Sequence, residues 1–245
     1  MNSLVNDTKI GKFLPITARC DSLWASTDDE SNYMRNLKSQ PADWYYRDNT
    51  ITYTTNSMGY RTQEFNDIDW EKSIVLFGCS AVFGVGLDDS NTISHYLSQI
   101  TGCPVVNMGA VGTSIQFSFH NNIMLSKLCR SPKAVVNIWT AIDRCLYYNK
   151  ESIQNSGPWS TSSGDYYANW SATGSHADTN AVLLSTASRQ LWKNSTKYYE
   201  ASFFKPTALL LDIPVIRPID SARDLVHVGM NTARITARYI ADALA

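Results

Sequence analysis

The chain has 245 residues, 44% apolar and 18% charged, which is enough apolar side chain for a sizeable core and excludes wholesale disorder. Its 21 basic and 22 acidic residues leave a formal net charge of −1, which excludes the broad basic surplus of a general nucleic-acid binder.

Residues 1–72 are polar, with Asn, Asp and Thr clusters and short strand-like pieces such as Thr50–Thr55. They are read as an N-terminal extension packed on a main domain at 73–245. Within them, Asn56-Ser-Met-Gly-Tyr-Arg61 reads as a turn punctuated by Asn and Gly. Ser73–Phe77 is a continuous apolar run ending at Gly78 and predicts a buried strand. Thr92–Thr101 places Ile93, Tyr96, Leu97 and Ile100 at helical spacing. Pro104–Asn107 predicts a second strand, Ser114–Cys129 a helix and Ala134–Trp139 a third strand. Residues 150–175 are rich in Ser, Gly, Tyr and Trp and read as a long loop. Asp178–Phe204 is expected to be helical, Thr207–Ile213 to be a fourth strand closed by Pro214, and Gly229–Leu244 to be a final helix. Strands alternating with helices predict a three-layer α/β/α fold with a central, mostly parallel sheet. Reactive residues in such folds lie beyond the carboxyl ends of the strands.

Three segments at those ends carry chemistry. Gly78-Cys-Ser80-Ala-Val-Phe-Gly84 follows the first strand, and its glycines suit a tight turn that exposes the Ser80 hydroxyl. The segment lacks the Gly-Lys-Ser/Thr of a Walker A loop, the spacing of a dinucleotide fingerprint, and the second glycine of a G-x-S-x-G elbow, where Val82 stands. A plain glycine-rich turn is the alternative. Asn107-Met-Gly109-Ala-Val-Gly112 follows the second strand and can turn a free N–H toward the same crevice. Asp224-Leu-Val-His227 sits before the last helix, where a carboxylate three residues from an imidazole can fix its tautomer.

In this order the three segments resemble the SGNH (GDSL-type) hydrolases. Gly78-Cys-Ser80 is similar to the block carrying the nucleophile, Asn107–Gly112 to the block whose glycine donates to the oxyanion, and Asp224–His227 to the D-x-x-H block. Asn56–Arg61 is similar to an N-x-x-G-[FY]-R segment that precedes the first block in extended members. The resemblance spans about residues 56–245. It implies Ser80 as nucleophile, His227 as base and Asp224 as its partner. It also implies Ser80 and Gly112 (Gly109 as the lesser match) as oxyanion donors. Two positions depart from the pattern. Cys79 stands where the family has Asp. Ile142, beside Asp143, stands where the third block has an oxyanion-donating Asn; Thr140, Arg144 or Asn137 could substitute. Trp139, Thr140 and Arg144 are the substrate-binding expectation.

The implied function is a serine esterase acting on short-chain or carbohydrate O-acetyl esters. An O-acyltransferase using the same serine is one alternative, and a catalytically silent glycan-binding module on the same fold is another. No cofactor is implied. His95, His120 and His176 lack metal-ligand spacing, so no metal site is expected. Cys79 is considered as a thiol nucleophile and set aside. Asp28-Asp29-Glu30 reads as a solvated charge run, and Trp159, Tyr166, Tyr167 and Trp170 as either a self-packed loop or a platform for sugar rings. No apolar run nears the ~18 residues a membrane span needs, so no membrane partner is expected. The start of the chain shows no secretory pattern, and its five cysteines (Cys20, Cys79, Cys103, Cys129, Cys145) form no C-x-x-C pair. A cytoplasmic setting with reduced thiols is therefore expected.

Overall fold

A computed structural model describes residues 13–16, 21–129, 131–148, 153–159 and 174–245. Its centre is a parallel sheet of four strands in the order β4-β3-β5-β8. These are β3 (Ile74–Gly78), β4 (Val105–Gly109), β5 (Ala134–Trp139) and β8 (Lys197–Ser202). Every residue of β3 and β5 is buried, as both faces of a parallel sheet require. Ile74 and Leu76 pack on one side with Ile93 and Leu97 of α3 (Ile93–Thr101) and Ala233, Ala237 and Ile240 of α7 (Met230–Leu244). Val75 and Phe77 pack on the other with Phe117, Met124 and Leu125 of α4 (Ile115–Leu128) and Trp192, the last residue of α5 (Gly174–Trp192). The fold is therefore the expected three-layer α/β/α arrangement.

Two expectations for the last third are corrected. Thr207–Ile213 is not a strand: Lys205–Leu211 forms helix α6. Pro206 in its first turn and the Ala-Leu-Leu-Leu run that follows favour a helix, whereas a short apolar run alone does not distinguish the two. The fourth strand is β8, which lies inside the stretch expected to be helical and carries Tyr198 and Tyr199. The loop expected at 150–175 contains a strand, β7 (Ile153–Ser156), paired antiparallel with β6 (Cys145–Tyr148). Residues 160–173, with Tyr166, Tyr167 and Trp170, lie outside the described residues.

The first connection, from β3 to β4, runs through α3 on one face; the second, from β4 to β5, runs through α4 on the other. The connection from β3 thus leaves toward one face and that from its neighbour β5, through α5, toward the other, so the crevice that opens in folds of this kind lies between the carboxyl ends of β3 and β5. Gly109 closes β4 against the short helix α2 (Ser80–Phe83), and a Cβ there would lie 2.3 Å from the Phe83 nitrogen.

The segment before β3 is built into this end of the sheet. Strands β1 (Asp21–Ser22) and β2 (Tyr53–Thr54) pair antiparallel, and Asp29 caps helix α1 (Glu30–Ser39) by accepting from Asn32 N–H at 2.8 Å. The charge run read as solvated is corrected at Asp28, which is fully buried. Its carboxylate accepts from Arg223 Nε at 2.9 Å and Nη2 at 2.8 Å, and from the Tyr53 hydroxyl. The Arg223 guanidinium lies 4.5 Å from the Trp24 ring centroid. Arg61 at the end of the Asn56 turn donates to the Gly84 carbonyl at 2.9 Å and so supports the end of α2.

Removing one partner of a buried ion pair strands the other charge. Asp28→Ala should therefore lower the unfolding free energy by about 3–5 kcal/mol, measured by urea denaturation.

Candidate active site

Ser80 is the first residue of α2, immediately beyond β3. Its Oγ donates to Nε2 of His227 at 2.8 Å, across 147 residues of sequence. The Nδ1 of His227 lies 2.6 Å from Oδ2 of Asp224. A carboxylate only accepts, so Nδ1 carries the proton and Nε2 is left to accept from Ser80. The sequence-predicted serine, histidine and aspartate therefore form one hydrogen-bonded chain.

Asp224 is held from four directions. Besides the imidazole it accepts from the backbone N–H of Val226 at 3.1 Å and of His227 at 3.0 Å, and from the Thr27 hydroxyl at 2.6 Å. Burial by itself raises the pKa of this carboxyl. The hydrogen bond and charge of His227, its backbone N–H and the Thr27 hydroxyl outweigh that and bring it down to about 2. Asp224 is thus a fixed anion behind the imidazole at any working pH.

The His227 side chain is 15% exposed, and with Ser80 it opens into a cleft of about 670 Å³. Gly112 lies on the wall with φ +70°, a left-handed conformation that suits glycine. Among the described residues, no acceptor takes the N–H of Gly112 or of Ser80. The N–H of Gly109, the lesser expectation, is already committed: it donates to Oδ1 of Asn107 at 2.9 Å. Gly109 therefore serves packing, and the glycine at the cleft is Gly112.

Of the three residues expected to bind substrate, only Arg144 lines the cleft. Its guanidinium lies 4.8 Å from the Trp159 ring centroid and 5.4 Å from that of Phe204. Trp139 is corrected to a core residue, 1% exposed, packed with Ile115 and Leu211 and donating Nε1–H to Glu200 at 3.0 Å. Thr140 is also buried away from the cleft, and its carbonyl accepts from the Thr207 hydroxyl at 3.1 Å. Ile142 packs against the Trp139 cluster and Asp143 is exposed, so this turn brings no amide to the site. Asn137 spends its side chain on Asn122 and on Tyr198 in the core.

Ser26, Thr27, Asn32 and Asn155 line the cleft without being singled out from sequence, and Asp29, read there only as part of a solvated charge run, joins them. The first three come from the segment read as a packing extension. The Asp29–Asn32 cap was a legible signal for a helix start there. Nothing local marks Thr27 or Asn155, because their partners lie far away in sequence.

No family model matches the chain, and no curated protein sequence matches it. Among solved structures it is similar to a protein of the G-D-S-L lipolytic family from Desulfitobacterium hafniense, with 12% identity and a TM-score of 0.46 over 70% of this chain and 99% of that one. It is also similar to an acetyl xylan esterase, Est2A, from the rumen bacterium Butyrivibrio proteoclasticus, with 9% identity and a TM-score of 0.46, covering 72% of this chain and 64% of that one. A third likeness is to TesA, with 12% identity and a TM-score of 0.45 over 70% of this chain and 97% of that one.

Proposed function

We propose that the protein is a serine esterase acting on acyl esters of a polar alcohol, with an O-acetylated carbohydrate as the favoured class. The observation that carries this reading is the chain from Ser80 Oγ through His227 to Asp224, at 2.8 Å and 2.6 Å. In the first half-reaction, Ser80 Oγ attacks the ester carbonyl carbon and its proton passes to Nε2 of His227. Asp224 stabilises the imidazolium, and the N–H groups of Ser80 and Gly112 receive the oxyanion. Collapse breaks the bond to the alcohol oxygen, which takes the proton from His227. Water then attacks the acyl-serine with His227 again as base, releasing the acid and restoring Ser80.

A silent binding module would have no use for an aligned base and nucleophile, so turnover is the better reading. The carbohydrate preference rests on the wall of the cleft. There Trp159, 52% exposed, stands beside Asp29, Asn32 and Arg144. A flat apolar face flanked by hydrogen-bonding groups suits a sugar ring.

Ser80→Ala should abolish hydrolysis of 4-nitrophenyl acetate with the melting temperature unchanged, and a fluorophosphonate should map to Ser80 in the parent. Undiminished turnover in the variant would remove Ser80 from the mechanism. Transfer of the acyl group to an added sugar, in place of release to water, would assign the O-acyltransferase reading.

Trp159→Ala should raise KM for an acetylated oligosaccharide several-fold while leaving that for 4-nitrophenyl acetate in place, by initial-rate kinetics.

Asp224 has a lower pKa folded than unfolded, about 2 against about 4, so its stabilising contribution is full above pH ~4 and disappears as pH falls toward 2. Asp224 therefore stays ionised above pH ~4 and should add no step of its own to the profile of log kcat/KM there. Asp224→Asn should lower kcat about 10⁴-fold by favouring the wrong tautomer.

A further inference from the structure

The N–H groups of Ser80 and Gly112 give the site two backbone donors, while the turn at Ile142 contributes no side-chain donor. Asn155, on β7, lines the same cleft as Ser80, Gly112 and His227. Its Oδ1 accepts from the Ser114 backbone N–H at 3.1 Å and from the Ser114 hydroxyl at 3.3 Å. A backbone N–H can only donate, so the amide oxygen must face Ser114 and the NH₂ must point the other way. Among the described residues no acceptor takes that NH₂.

We propose that Nδ2 of Asn155 is the side-chain donor to the oxyanion formed at Ser80, supplied by a hairpin in place of position 142. The inference rests on the esterase reading of this site. Three features fix the donor. Ser114 caps α4 and lies two residues beyond Gly112, so the Asn155 amide is tied to the loop that carries the Gly112 N–H. Leu146, opposite Asn155 in the β6–β7 ladder, packs into the core and holds the hairpin in register. Of the other candidates, Asn137 is engaged in the core, Thr140 is buried and off the cleft lining, and Arg144 lies against two aromatic rings with Nη1 on the Thr113 carbonyl. A donor held in advance by two hydrogen bonds needs no reorganisation as charge develops on the substrate oxygen.

The test compares Asn155→Ala and Asn155→Asp with the parent, using kcat and KM for 4-nitrophenyl acetate and the melting temperature. Aspartate keeps an oxygen for Ser114 but offers no N–H to the cleft. Both variants should lose about 10²–10³ in kcat with KM little changed, and Asn155→Asp should keep the parental melting temperature. Near-parental kcat in Asn155→Asp, or a loss confined to KM, would overturn the assignment while leaving the esterase reading intact. A parent that neither hydrolyses the ester nor takes a fluorophosphonate at Ser80 would overturn both.

Discussion

Arg223 and Asp28 meet inside the protein, each almost wholly screened from water, and their ion pair lies at the centre of a set of contacts that joins three parts of the chain. Asp28 belongs to the segment before the sheet. Arg223 precedes the Asp224–His227 turn, and its backbone N–H donates to the Gly86 carbonyl at 3.1 Å, in the loop after Ser80. The Tyr53 hydroxyl completes the link by donating to Asp28 and accepting from Gly86 N–H at 2.7 Å. A buried pair adds little net stability over apolar residues of equal size. What it adds here is position. With Arg223 pinned, the turn that follows has few ways to lie, and Leu225 accepts φ +58° within it. His227 then reaches Ser80.

The same segment shapes the electrostatics. Thr27 sits next to Asp28 in sequence and donates to the carboxylate that orients the imidazole. The anchor and the outer hydrogen bond of the Ser80–His227–Asp224 chain are thus neighbouring residues. An anion surrounded by four donors holds its charge and its direction, and both are needed if the imidazole is to accept a proton from a serine. The cleft in front is different in kind, lined by Trp159, Arg144, Asp29 and Asn32. The proposed preference for an acyl ester of a polar alcohol rests on this pairing of fixed charge behind and mixed polar and aromatic surface in front.

Much of the scaffold was legible because it rests on short-range pattern. Ala134–Trp139 is read with its bounds intact, and the helices ending in Thr101 and Leu128 begin one residue after the capping residues Thr92 and Ser114. The failures have one cause. The Ala-Leu-Leu-Leu run of α6 and the Tyr-Tyr pair of β8 are each too short for periodicity to separate strand from helix, and packing decided between them. In the site, Trp139 is expected at the substrate, but it is buried in a cluster with Ile115 and Leu211.

By itself the sequence determined the alternation of strands and helices, the serine at a strand-to-helix turn, and the Asp-x-x-His pair. Each of these depends on residues within a few positions of one another, where backbone geometry leaves little choice. Only the tertiary structure decided that Ser80 and His227 touch, that Thr27 stands behind Asp224, and that Asn155 meets Ser114 at the cleft. Those contacts join residues 147, 197 and 41 positions apart. No local preference encodes such a distance; it is set when the sheet, its two helical layers and the buried Asp28–Arg223 pair close together.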